Sequence, residues 1–126
     1  WLGVTAEDQR RANERIPVLL SLPARVRFAS HEPALESVDF SKWLGHWQGG
    51  GGLHWVITGG ESGPKARPYN PTWARDVVTQ CGLHGAFAFV KQMGSNVIDF
   101  SGRLKDRKGG DPSEWPECIR VQEFPR

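Results

Sequence analysis

Apolar residues concentrate in four short runs, Trp1–Val4, Val26–Ser30, Leu53–Thr58 and Ala86–Val90, each bounded by Gly, Pro or polar residues. Most of these runs are continuous rather than alternating. That is the pattern of strands covered on both faces, as in a parallel sheet. Their starts lie 25, 27 and 33 residues apart. Such spacing matches one strand–helix–strand unit.

The segments between the runs read as helices. Thr5 followed by Asp8 is a capping-box-like start, and Ala12, Ile16, Leu19 and Leu20 then recur at helical spacing. Glu7, Asp8, Arg11 and Arg15 fall on the other faces. Pro17 lies inside this run, where it removes a backbone donor, so a kink or two short helices is expected. In the third connection Asn70 can cap and Pro71 suits the first helical position. Trp73, Val77, Val78 and Cys81 then share a face, and Gly82 or Gly85 can end the helix. Within Val38–Gly52, Phe40–Leu44 predicts a short helix, and the glycine-rich Gln48–Gly52 a flexible loop. Residues 96–126 lack periodicity and predict an irregular tail with a short hairpin around Gly109–Gly110.

These elements define an α/β chain of four parallel βα units in sequential order. The expected architecture is half of a (β/α)-barrel, or an open sheet derived from it, over residues 1–95, followed by an irregular basic tail over 96–126. Both outer strands would then be uncovered edges, and exposed edges invite pairing. The expected partners are a missing N-terminal half, a second copy of the chain or another protein.

Composition changes this picture little. The 126 residues hold 16 basic and 14 acidic side chains, with 38% hydrophobic residues, which excludes wholesale disorder and fits one domain. No apolar run is long enough to span a bilayer, so no membrane partner is expected. No secretion leader is recognisable, and Trp1 in place of Met leads us to expect residues upstream. Two cysteines, Cys81 and Cys118, are too few for a disulfide framework or a zinc site of their own. They fit a reducing, cytoplasmic setting, and no metal site or cofactor is expected within this chain.

Candidate chemistry gathers where parallel strands end, because ligands meet the carboxyl ends of such strands. Those ends carry Glu7, Glu32, the loop Gly59, Gly60, Glu61, Ser62 and Gly63, then Arg67, Lys91 and Gln92, all expected around one ligand-binding pocket. Glycines let backbone N–H groups approach an anion closely, although Glu61 argues against simple phosphate binding, and a tight turn is the alternative. Glu32 and Glu61 can do acid–base work as a pair, or form a salt-bridge network with Arg67 and Lys91. His31 can shuttle protons or simply be structural. Trp43 and Trp47 flank the glycine-rich loop and are candidates for a partner-binding surface. So is the basic run Arg103, Lys105, Arg107 and Lys108, which suits phosphates if it is not merely a solvated tail.

The runs WLGVTAEDQRRANERIPVLL, RFASHEPALESVDF, HWVITGGESGPKARPYNPTWARDVVTQC, AFVKQMG and LKDRKGGDPSEWPE cover nearly the whole chain. They resemble a phage-associated family of unknown function whose members look like barrels of the radical S-adenosylmethionine type. The resemblance implies that this chain corresponds to the C-terminal half. The three-cysteine motif expected to hold an iron–sulfur cluster belongs to the N-terminal half and is absent here. It also implies that S-adenosylmethionine and the cluster serve a full-length parent in the host cytoplasm. The expected function is the substrate-side part of such a protein, acting on nucleic acid and inactive alone. The alternative is a small non-catalytic phage protein that binds and inhibits a host or defence nucleoprotein complex.

Overall fold

In the computed structural model, strands β1 (Leu2–Thr5), β2 (Arg27–His31), β5 (Trp55–Gly59) and β6 (Phe87–Gln92) form one sheet in the order β1-β2-β5-β6. Every neighbouring pair is parallel. Two further strands, β3 (His46–Trp47) and β4 (Gly50–Gly51), form a small antiparallel ladder. Gln48 and Gly49, and the side chains of residues 46–50, lie outside the described residues, and with them part of the expected Gln48–Gly52 loop and the Trp47 ring.

Helix α1 (Gln9–Leu20) starts at Asp8, whose carboxylate accepts the Arg11 N–H at 2.8 Å. Thr5, expected near the cap, instead ends β1. Of the two outcomes expected at Pro17, the split into two short helices does not occur, and α1 runs through the proline as one helix. Ala12 and Ile16 before the proline and Leu19 after it are all buried, so packing on the sheet outweighs the lost hydrogen bond. Helix α2 (Pro71–His84) follows the expected design. Asn70 accepts the Thr72 N–H at 2.9 Å, Pro71 opens the helix, and Gly85 closes it with φ 67°. A single 3-10 turn, Ser41–Trp43, stands where the short helix was expected.

Both helices cover the same face. Ala12, Ile16 and Leu19 of α1 and Val77 and Cys81 of α2 pack with Ala29, Val56 and Ala88, which share one side of the pleat. Right-handed crossovers taken in sequential order place every helix on one side. The opposite face carries Phe28, Trp55, Ile57, Phe87 and Phe89. Among the described residues its ring contacts outside the sheet come from Trp1 and Phe124, which stand 5.9 and 5.4 Å from the Trp55 ring. Phe28, Ile57, Phe87 and Phe89 stay only half-buried, and Trp1 and Phe124 are themselves about 60% exposed (61% and 59%).

The two sheet edges differ, which corrects the expectation that both are bare. The C-terminal segment lies along β6. Val90 N–H donates to Val121 O at 2.8 Å and Glu123 N–H to Ala88 O at 2.9 Å. The Glu123 carboxylate also takes the Ala88 N–H at 3.0 Å. No described strand flanks β1 on its outer side.

Nor is the tail merely solvated. Trp115 and Ile119 pack with Ala34, Tyr69, Ala74, Val90 and Met93 in a second core cluster. The expected hairpin at Gly109–Gly110 is a turn instead, in which the Asp106 carboxylate accepts the Gly110 N–H at 2.7 Å. Residues 96–126 hold only two 3-10 turns, Pro112–Glu114 and Glu117–Ile119.

Candidate functional site

The carboxyl ends of β1, β2, β5 and β6 meet at one rim, as parallel strands in register require. Each acidic residue expected there has a cation of its own. Lys91 Nζ donates to Glu32 Oε1 at 2.7 Å. Arg67 grips Glu61 three ways, through Nε to Oε2 at 2.9 Å, Nη2 to Oε1 at 3.1 Å and its backbone N–H to Oε2 at 3.0 Å. Arg15 Nη1 lies 3.3 Å from Glu7 Oε2. The register slips between Thr58 and Gly59, so that Gly59 pairs with Gln92 and Lys91 is the extra residue. Such bulges re-aim side chains beside functional sites; here Lys91 reaches across to Glu32.

This geometry settles the protonation of Glu61. The Arg67 side-chain hydrogen bonds, then its N–H and its charge, pull the Glu61 carboxyl down to about 2. It is ionised at neutral pH and is no proton donor. Burial pushes the Glu7 carboxyl up, but its own backbone N–H, Thr5 and Arg15 outweigh this and leave it below the usual range. The rim is therefore a set of ion pairs. Glu32 and Glu61 each face a cation, and the salt-bridge reading of this pair is the one the geometry displays.

The glycine loop is shaped by close backbone contact. A Cβ on Gly60 would lie 2.3 Å from Met93 O, and one on Gly94 2.6 Å from Glu61 O. Gly60 N–H donates to Gln92 O at 3.0 Å, and Gly63 N–H to Ser95 Oγ at 3.0 Å. The Gln92 side chain returns a bond to Gly60 O at 2.9 Å. Those two amides are thus spent inside the chain rather than turned towards an anion. Ser62 and Gly63 are exposed.

Beneath the rim, on the helix side, lies a buried polar chain that the sequence reading did not foresee. His31 is fully buried, with Nε2 3.0 Å from Glu36 O and Nδ1 3.1 Å from Thr58 Oγ1. A carbonyl only accepts, so Nε2 carries the proton and the Thr58 hydroxyl donates to Nδ1. Burial lowers the His31 pKa to about 4, against the opposing pull of Glu36 O, Glu7 and Asp8. Held this way, the ring is neutral at neutral pH. The Tyr69 hydroxyl faces Thr58 without a hydrogen bond of full geometry, and burial raises its pKa beyond the usual range.

Of the expected partner-binding aromatics, Trp43 is 5% exposed and sits in the main core with Phe40 and Leu44. It offers no surface to a partner. It closes the 3-10 turn Ser41–Trp43, and Lys42 Nζ lies 4.5 Å from the centre of its ring. Arg103, Lys105, Arg107 and Lys108 are all exposed, as expected.

The cysteines do not fit an iron–sulfur cluster. Cys81 is buried on α2, and burial, with Glu123 nearby, pushes its thiol up to about 12, whereas a cluster needs thiolates. Cys118 is exposed in the tail. Among the described residues no group of three or more His, Cys, Asp or Glu side chains is arranged to hold a metal ion. No described helix is long and apolar enough to cross a membrane.

Fold and rim together define an α/β protein with an open, all-parallel, sequentially ordered sheet, helices on one face and ion pairs at the strand ends, the arrangement of a partial (β/α)-barrel. Over residues 1–115 the chain matches the family described as "Protein of unknown function (DUF5131)", and it belongs to that family. No curated protein and no solved structure matches it.

Proposed function

We propose that this chain is the C-terminal, substrate-side part of a barrel of the radical S-adenosylmethionine type, a phage protein of the host cytoplasm, and that it is inactive on its own. The observation that carries this reading is the uncovered face of the sheet. Parallel sheets are buried on both faces. Here Phe28, Ile57, Phe87 and Phe89 remain half-buried, and the Trp55 indole N–H is buried without a hydrogen-bond partner. Closure into a barrel would turn this face into a packed interior. The bare edge of β1 is where further strands would pair, since the β6 edge is already occupied by the chain's own C-terminal segment.

The rim ion pairs would then line the barrel mouth, with Lys91, Glu32, Arg67 and Glu61 orienting a polar substrate. The cluster and S-adenosylmethionine would be held by the other half, because the residues present here do not fit the cluster. The rival reading, a binding protein that blocks a nucleoprotein complex through Trp43 and Trp47, would require Trp43 to leave the core.

The test is anaerobic reconstitution with iron and sulfide, run in parallel on the 126-residue chain and on the product of its reading frame extended upstream. The chain alone should take up no cluster, seen by visible absorption, and form no 5′-deoxyadenosine. The extended product should do both. A stoichiometric cluster on the chain alone, or none on the extended product, would overturn the proposal.

A further inference from the structure

A groove of about 860 Å³ opens beside the rim, between the loop Ser62–Pro64, the turn Gly94–Ser95 and the segment from Gly102 to Lys108. Val97, Phe100 and Leu104 contribute apolar surface to it, and all three are half-buried. Lys105, Arg107 and Lys108 line it, and Arg103 lies in the same segment.

These cations are unpaired for a reason. The acids nearest in sequence are turned to backbone groups. Glu114 accepts the Lys105 N–H at 2.7 Å and the Asp106 N–H at 3.1 Å. Asp106 accepts the Lys108 N–H at 3.2 Å and the Gly110 N–H at 2.7 Å. Among the described residues the ion pairs involve Arg10, Arg15, Arg67 and Lys91, and none of the groove cations. The carboxylates thus fix the backbone of the basic segment and leave its positive side chains facing solvent.

The wall they stand on is tied down. Ser95 Oγ donates to Arg107 O at 2.7 Å, Gly94 N–H to Lys108 O at 2.9 Å and Met93 N–H to Gly109 O at 2.9 Å. The Trp115 indole N–H reaches Gly109 O at 2.8 Å from the core below. A basic wall anchored in this way is a preformed surface rather than a mobile tail.

We propose that this groove binds single-stranded nucleic acid, with Lys105, Arg107 and Lys108 on the phosphates and Phe100 as a platform for a base. Unpaired cations beside an apolar floor match a backbone that carries both charge and stackable rings. A duplex hides its base faces and would leave Phe100 and Leu104 without a use. The proposal names a substrate class for the barrel proposed above, since the groove continues from the loops that follow Glu61 and Gln92. It rests on the groove alone, however, and its test needs no cluster, so the two readings can fail separately.

The test is fluorescence anisotropy of a labelled 15-nucleotide oligothymidylate, titrated with the chain at several salt concentrations. Binding should weaken as salt rises, because each neutralised phosphate contributes about 0.7 to the log–log slope on single strands. The triple variant K105Q/R107Q/K108Q should bind at least roughly tenfold more weakly and lower that slope by about 2. Phe100→Leu, which keeps an apolar side chain against the second core cluster, should cost roughly tenfold through lost stacking. Thermal melting of the triple variant should match the parent, since the replaced side chains are exposed and unpaired. Failure of the oligonucleotide to bind, triple-variant binding equal to the parent, or a duplex or heparin of equal charge binding as tightly would each overturn the assignment.

Discussion

Replacing Trp115 with alanine should destabilise the chain by about 3–5 kcal/mol, the range for truncating a fully buried tryptophan. Against a total of about 5–15 kcal/mol for a typical domain, that brings the fold near its threshold. The side chain is 2% exposed, packs with Tyr69, Met93 and Ile119, and donates from Nε1 to Gly109 O at 2.8 Å. The substitution therefore opens a cavity and removes one of the two donors to Gly109 O, leaving the Met93 N–H. Urea unfolding monitored by far-ultraviolet circular dichroism measures the loss. If residues 96–126 were a dispensable tail, the variant would unfold at the same urea concentration as the parent.

Acidification should weaken the fold before most carboxylates titrate. Folded His31 has its pKa lowered to about 4 from 6.5, so between those values the unfolded chain binds a proton that the folded chain refuses. Stability is then highest above pH 6.5 and falls as pH drops towards 4, where the contribution levels off. The shift corresponds to about 3 kcal/mol. The lowered carboxyls of Glu7, Asp39, Glu61 and Asp111 shift in the same sense, so they too lose stability on acidification, but at lower pH. Their stabilisation is present above the ordinary carboxylate pKa and is lost only as pH falls below it, so the two windows separate. Urea midpoints at pH 7, 6, 5 and 4 measure the slope, and His31→Gln should flatten it between pH 6.5 and 5. A parent whose midpoint does not move over that interval would show that His31 is not buried in its neutral form.

The sheet was legible because its strands are compact apolar runs set between Gly, Pro and polar residues. Each expected strand begins one or two residues before the observed one, and the regular spacing carried the parallel, sequential order with it. Helix α2 was legible because Asn70, Pro71 and Gly85 are chemically suited to the ends they occupy. Two features left no periodic trace. The tail is held by two isolated anchors, Trp115 and Ile119, and the β6 edge is capped through Val121 and Glu123, too short a contact to impose alternation. At Pro17 local propensity allowed two short helices, whereas the buried residues on both sides of it favour one continuous helix. At the rim, Arg67 and Lys91 were expected near Glu61 and Glu32 on topology alone. Arg15 was placed on an outer face of α1, and its reach back to Glu7 depends on a side-chain length that periodicity does not encode. The burial of Trp43 had the same origin, since the direction of a ring in a single 3-10 turn is set by tertiary packing.

The central claim is that the uncovered face and the free edge of β1 are completed by further barrel strands. Leu2 and Ala6 turn their N–H groups to Val26 O at 3.0 Å and Ser30 O at 2.8 Å, so the alternate amides of Gly3 and Thr5 point outward. Amide hydrogen exchange at Gly3 and Thr5, compared between the 126-residue chain and the product extended upstream, tests this most directly. The account predicts rapid exchange in the chain alone and strong protection in the extended product. Equally rapid exchange in both would contradict it.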